Sequence, residues 1–424
     1  MRTIGMAYGP TDRIVIVGAG PAGWAAAEEL RRLGFPGGIT VLGEEPQGPY
    51  DRTACSKGLL NGHQKPSDIS LDRHGCVDVD WRLGRRAMWL DPATHAVVTD
   101  TGETFPYDGL VVATGARPVI PAGWPAGEPG LFVLHGVEDA WTLRTALRNA
   151  RRVAVVGGGL TGTEVACAVF AMARESVVIN SQRALMSRVL GEPVGALVTD
   201  SHRAAGVDMR LGRRVQGVDR GRGRWRLRLD DGEDVHADVV VVAAGDRPDV
   251  EWLDGVGIDL GDGVLCDPSL RVAGTSDAVA AGVVARWPNL RYSAEPRRVG
   301  HWIAAMEQGQ AAARTLLTGQ HANEPFTLLP RFWSEQLGLR IQVCGQVAPD
   351  AEVAVTEMRP GRRDTARGGV LASYYQSGRL TGVVAVNAPQ AFTVASRTLV
   401  DDPAAAVART TGVAPLVRRL HAAV

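Results

Sequence analysis

The chain has 424 residues, 45% of them hydrophobic and 22% charged, enough for two to four domains of about 150 residues, each with its own core. Lys plus Arg and Asp plus Glu both number 46, a formal net charge of zero, which excludes binding to nucleic acid or an anionic membrane through bulk charge. No run reaches the roughly 18 apolar residues of a transmembrane helix, and Met1 to Asp12 lack the apolar core of a secretory signal, so the cytoplasm is the expected compartment. Five cysteines, Cys55, Cys76, Cys167, Cys266 and Cys344, lie far apart with no C-x-x-C pair. That scatter reads as neither a disulfide framework nor an Fe–S or zinc site. The nine histidines show no ligand spacing, and no metal is expected. Lysine occurs only at Lys57 and Lys65, arginine having taken its place elsewhere, so a surviving lysine is a candidate functional group.

In chain order, the β-branched run Arg13 to Val17 predicts a strand, followed by the turn Gly18 to Gly23, a helix from Trp24, and a second strand at Ile39 to Leu42. The same unit recurs from Arg152: VAVVGGG, then LTGTEVACAVFAMAR, then SVVIN. Two copies predict two dinucleotide-binding domains of α/β class with parallel sheets. The segments LVVATG, before Thr114, and DVVVVAAG, before Gly245, read as one element repeated in both domains. From Phe326 the pattern becomes alternating strands (LRIQVCG, EVAVTEM, GVLASYYQ, RLTGVVAVN) and a final helix, Pro403 to Val424, giving a smaller α+β domain. The Arg- and Gly-rich stretch Arg359 to Gly369 is expected as a loop. The expected boundaries are 1–118 with 247–325 for a discontinuous first domain, 119–246 for the second, and 326–424 for the third.

Both turns carry G-x-G-x-x-G, as Gly18, Gly20 and Gly23 and as Gly157, Gly159 and Gly162. The first glycine permits the tight turn, the second lets backbone approach a pyrophosphate, and the third packs helix on strand. The helix N-terminus, at Ala22 in one copy and Leu160 in the other, turns N–H groups to the anion. The acidic residue closing the second strand separates the copies. Glu44, or Glu45, follows Leu42-Gly43 and can accept from ribose hydroxyls, whereas the second copy has Asn180, then Ser181, Gln182 and Arg183. A missing carboxylate with an Arg nearby favours NADPH, or relaxed choice, over strict NADH; the alternative for Arg183 is a solvated loop residue.

With these residues placed, the chain resembles the flavoprotein ferredoxin reductases of bacterial P450 and ring-dioxygenase systems, over essentially its whole length. The resemblance is carried by PYDRTACSKGLL (Pro49 to Leu60), VVATGARP (Val111 to Pro118), GGGLTGTE and AAGDRPD (Ala243 to Asp249), and further along by TSDAVAAGVVARWP (Thr275 to Pro288), GHWIAAMEQGQAAA (Gly300 to Ala313) and FWSEQLGLRIQVCG (Phe332 to Gly345). It implies FAD in the first domain, NADPH or NADH in the second, hydride transfer from nicotinamide to flavin, and single electrons passed to a small [2Fe–2S] ferredoxin. It further implies that Lys57 lies beside the flavin ring and Glu164 near the nicotinamide, the catalytic pair. Arg52, Ala87, Thr114, Arg117, Gly282, Val283 and Trp302 would line FAD, and Gly245 the coenzyme. Trp333 would either shield the ring or sit at an interface or in a core. The oligomer is expected to be a monomer or a homodimer.

Departures from the family pattern gather in one place. The Asp that contacts the flavin side chain is Val283; the E-H-W-x-N block is Gly300-His301-Trp302-Ile303-Ala304; an Arg is His135; Pro-Pro-Leu before Ser-Lys is Thr53-Ala54-Cys55. One lost contact is worth about 1–3 kcal/mol, so several predict weakened flavin binding. Two alternatives therefore stand beside the reductase: an enzyme on the same scaffold acting directly on a small molecule or thiol, with Cys55, His135, His301 or Trp302 facing substrate, and a non-catalytic dinucleotide-binding protein. Cys55 reads either as a redox thiol or as a small buried hydrophobe.

Overall fold

The computed structural model describes residues 7–71, 78–221, 223–319, 324–358 and 368–401. Cys76, the expected helix 403–424 and residues 359–367 of the expected loop lie outside the described residues. The chain divides into two compact units, one of Met1–Thr53, Lys65–Arg117 and Asp246–Leu328, the other of Ala54–Gln64, Pro118–Gly245 and Leu329–Val424.

In the first unit the apolar strand Arg13–Val17 is central. It pairs in parallel with Gly38–Gly43 on one side and Gly109–Val112 on the other, and Val79–Leu83 and Ala278–Ala280 complete five parallel strands. Strands covered on both faces are continuously apolar instead of alternating, and Ile14, Ile16, Val41, Val111 and Val279 are fully buried. Helices Pro21–Arg32 and Trp302–Thr318 supply covering side chains, Ala26, Leu30 and Leu316 among them.

The second unit repeats this plan. Arg152–Val156 is flanked by Glu175–Asn180 and Val239–Val242, with Asp208–Leu211 and Leu131–Val133 outermost, all parallel. LVV and VVVV thus occupy the same place in the two sheets, as their sequences predict. Each unit also inserts a three-stranded antiparallel sheet, Ala87–Asp91 to Thr104–Pro106 in one and Val215–Gly221 to Asp234–Ala237 in the other.

The C-terminal strands form an antiparallel sheet in the order Arg331–Gln336, Leu339–Gly345, Arg379–Val386, Gly369–Gln376, Glu352–Met358. Its face residues Ile341, Val343, Ala372 and Val384 share one core with Val165, Val169 and Val178, so this sheet belongs to the second unit. Residues 54–64 do too, because Leu60 is buried in that core with Leu143 and Leu147. The sequence-based boundaries put them in the first domain: periodicity shows that a segment is apolar, not which core takes it. A helix not expected from sequence, Pro389–Asp401, covers the sheet through Phe392, Ala395 and Leu399.

Candidate functional site

The two glycine turns have matching geometry. Gly18 and Gly157 sit at φ +115° and +116°, conformations open to glycine. A Cβ on either would lie 2.1 Å from the carbonyl oxygen of Ala113 or Ala243. A Cβ on Gly23 or Gly162 would lie 1.9 or 2.0 Å from the carbonyl of Gly18 or Gly157. The middle glycines differ in kind: Gly20 and Gly159 have nothing within 4 Å of a Cβ and cap the helices Pro21–Arg32 and Leu160–Ala171. Backbone N–H groups at an open helix start make an anion site. Buried Ala22 lies in the first turn of the former helix and half-buried Leu160 begins the latter.

In the first unit the two candidate acids separate. Glu44 accepts from Arg117 at 2.6 Å, and Arg117 also reaches Asp249 at 2.9 Å. Burial opposes charge on that guanidinium, but Asp249 and Glu44 outweigh it and raise its pKa. Glu45 is taken instead by Arg52 and by the Tyr50 hydroxyl, each at 2.5 Å. Thr114 Oγ1 donates to the Asp249 carbonyl at 2.7 Å, so Thr114, Arg117 and Glu44 form one cluster around Asp249. Half-buried Ala87 opens the inserted sheet.

Of the departing residues, Val283 and Gly300 are in contact. Gly282, at φ +82°, donates its N–H to Gln308 Oε1 at 2.7 Å. Val283 packs over Gly300, its Cγ2 3.3 Å from where a Cβ would be. Ala304 is buried, and Trp302 begins the helix Trp302–Thr318. Trp302 Nε1 and Gln308 Nε2 are buried donors with no acceptor among the described residues. Burial pushes His301 down to about 4, so it is neutral at physiological pH. The backbone N–H of His135 is held by Asp139 at 2.9 Å. The first unit thus offers an open glycine cradle, an acid at the strand end and unpartnered donors, a set that fits FAD.

In the second unit the structure brings the expected catalytic pair together. Lys57 Nζ lies 2.9 Å from Glu164 Oε2. The Lys57 side chain is 34% exposed and that of Glu164 only 3%, so the carboxylate depends on its donors. Ser56 Oγ donates to Oε2 at 2.5 Å and Ser334 Oγ to Oε1 at 2.6 Å. Sequence reasoning did not find Ser56, Ser334 or Gln336, whose Nε2 is 3.0 Å from Ser334 Oγ. In the strand Arg331–Gln336, Ser334 and Gln336 face inward while Trp333 points out, 59% exposed.

At the second glycine turn, Asn180 is nearly buried and its amide is in use. Oδ1 accepts from the Gly158 N–H at 3.2 Å, and Nδ2 donates to the carbonyls of Gln182 and Ala184. Asn180 therefore fixes the glycine turn. Arg183 is exposed beside Gly212, and Gly245 sits at φ +111° with open space about it.

Cys55 is buried, 2% exposed. Cys167 Sγ lies 3.5 Å from His202 Nε2, but burial, with Glu164 adding to it, pushes the thiol up to about 12, and burial pushes His202 down. Thiolate and imidazolium are both disfavoured there.

Two such cradles on two parallel sheets define a protein that holds two dinucleotides. Residues 12–309 match the model of the pyridine nucleotide-disulphide oxidoreductases, and residues 331–414 that of the reductase C-terminal domain. The chain belongs to the pyridine nucleotide-disulphide oxidoreductase family. It is 33% identical over 392 residues to the ferredoxin–NAD(+) reductase component of the biphenyl dioxygenase system of Paraburkholderia xenovorans, covering 91% of this chain and 92% of that one. It is 32% identical over 383 residues to terpredoxin reductase of a Pseudomonas species, covering 89% and 90%. The putidaredoxin reductase–putidaredoxin complex matches with a TM-score of 0.82 at 26% identity, over 93% of this chain and 94% of that chain.

Proposed function

We propose that this chain is an FAD-dependent NAD(P)H:ferredoxin reductase, passing electrons from a nicotinamide coenzyme to a small [2Fe–2S] ferredoxin that serves an oxygenase or P450. The observation that carries it is the Lys57–Glu164 pair. One of only two lysines is joined to the helix that opens at the second glycine turn, in a chain whose relatives are ferredoxin reductases. FAD, when bound, supplies a two-electron acceptor that can give electrons up singly. The cradle Gly18, Gly20, Gly23 holds its pyrophosphate. Glu44 receives ribose hydroxyls, and Arg52, Ala87, Thr114, Arg117, Gly282, Val283 and Trp302 line it. The second cradle, with Asn180, Arg183 and Gly245, holds the coenzyme. Lys57 would offer positive charge to the flavin ring, and Glu164, which holds Lys57, would lie near the nicotinamide.

No helix among the described residues is long and apolar enough to cross a membrane. The cytoplasm is the proposed compartment, where a reducing poise suits cysteines that form no disulfide among the described residues. The test is the visible spectrum of the purified protein, repeated after adding FAD and then NADPH or NADH without oxygen. Flavin bands that bleach on coenzyme are expected. A protein that takes up no flavin from excess FAD overturns the reading.

Coenzyme choice is the finer proposal: Arg183 pairs with a 2′-phosphate, so NADPH is accepted at least as well as NADH. Because Asn180 also fixes the Gly158 turn, Arg183 is the position to change. Arg183→Ala should lower kcat/KM for NADPH about tenfold, the worth of one charged hydrogen bond, with a smaller change for NADH. An equal change with both coenzymes leaves Arg183 a solvated loop residue.

A further inference from the structure

We infer that Ser334, braced by Gln336, is a positioning residue for Glu164, so that the C-terminal strand Arg331–Gln336 completes the coenzyme half of the site. The inference rests on the reading that the helix carrying Glu164 receives the nicotinamide coenzyme.

The strand Arg331–Gln336 carries two polar side chains on its inward face. A strand at the edge of a sheet ordinarily turns apolar side chains inward and polar ones to water. Here Ser334 and Gln336 are 0% and 1% exposed, while Arg331, Trp333 and Glu335 point outward. Two polar side chains in a core otherwise built of Val, Leu and Ile need partners that offset their burial.

The hydrogen bonds supply that reason. Glu164 has two carboxylate oxygens and a nearly buried side chain. Oε2 is shared by Ser56 and Lys57; Oε1 accepts from Ser334. A serine hydroxyl has one proton. Giving it to Glu164 leaves its oxygen to accept from Gln336 Nε2 at 3.0 Å, which fixes the orientation of that amide. Gln336 Nε2 also contacts Met186 Sδ at 3.3 Å, so the brace ends on a buried side chain of the second unit. The relay thus converges on Glu164: Gln336 donates to Ser334, Ser334 donates to Oε1, and Lys57 donates to Oε2 from the other side. Without Ser334, Oε1 is a buried acceptor with no donor in this relay, and the carboxylate is free to turn away from Lys57.

Ser334 acts through another residue, so its test is a cycle. Flavin reduction by saturating coenzyme is followed in a single turnover for the wild type, Ser334→Ala, Glu164→Gln and the double variant. Ser334→Ala should slow reduction about 10- to 100-fold, the range of a lost hydrogen bond to a charged group, and should add little in the Glu164→Gln background. Binding of NAD+ or NADP+, measured by calorimetry, should change much less than the rate. Ser334→Thr, which restores the hydroxyl, should recover most of it. Effects that simply multiply, or a Ser334→Ala protein as fast as wild type, overturn the positioning role. So does a Ser334→Thr protein that is folded and no faster than Ser334→Ala. A wild type that takes up flavin but is not reduced by coenzyme overturns the functional reading itself, and this inference with it.

Discussion

Replacing Lys57 with Met should slow flavin reduction by coenzyme at least about 100-fold, the loss expected when one preorganised charge is removed from a reaction site. The same change should lower stability by about 2–3 kcal/mol, because a nearly buried Glu164 then keeps its charge with two hydroxyls for company. Glu164→Gln should cost less in stability. It leaves Lys57, whose side chain is 34% exposed, free to find water, and solvent screens a charge so placed. The two single variants should therefore differ in stability, where a symmetric ion pair would lose the same from either side. The double variant should regain stability over Lys57→Met without regaining rate. Thermal melts and stopped-flow reduction on the four proteins check both halves. A Lys57→Met protein that is reduced as fast as wild type removes Lys57 from the chemistry, whatever its melting temperature.

That asymmetry was not legible in the sequence. Lys57 stood out because arginine replaces lysine elsewhere, and Glu164 through the family pattern. Which of the two is buried depends on where 54–64 packs. The segment looks continuous with the first domain, yet Leu60 anchors it in the second unit's core. Ser334 escaped for a related reason. FWSEQ sets Phe332 on one face with Ser334 and Gln336, and only the buried carboxylate of Glu164, distant in sequence, gives those two polar side chains a place in the core.

The glycine turns and the strands that feed them were legible because their information is local: spacing, φ and the apolar run. The equivalence of LVVATG and DVVVVAAG follows from the same run in the same place of two sheets. The helix Pro389–Asp401 was missed because PQAFTVASRTLVD is rich in β-branched residues with weak helix propensity. Its Phe392, Ala395 and Leu399 gain their burial from Cys344, Leu380 and Val383, which no local pattern announces. The position of Asn180 at the end of its strand follows from the sequence, but the use of its amide on Gly158 emerges only from the folded turn.

The first and second glycines of one fingerprint should fail in different ways. Gly18→Ala puts a Cβ 2.1 Å from the Ala113 carbonyl oxygen, at φ +115°. The clash is with backbone at the end of the parallel pair Val17 and Val112, so no side chain can yield. The expected cost is more than about 4 kcal/mol, with loss of the folded first unit and its flavin. Gly20 sits at φ −77° and ψ −172°, with nothing within 4 Å of a Cβ, a conformation alanine adopts freely. Gly20→Ala should melt like the wild type without flavin, yet bind FAD about 10- to 100-fold more weakly, because the added methyl occupies the space a pyrophosphate needs. Gly157→Ala and Gly159→Ala should repeat the contrast for the coenzyme, since their geometry is the same. A Gly18→Ala protein with a normal melt would show that the turn can relax. A Gly20→Ala protein that binds FAD like the wild type would mean that the open side of the turn is not where the dinucleotide lies. Separating the two failures separates a glycine kept for the chain from one kept for the ligand.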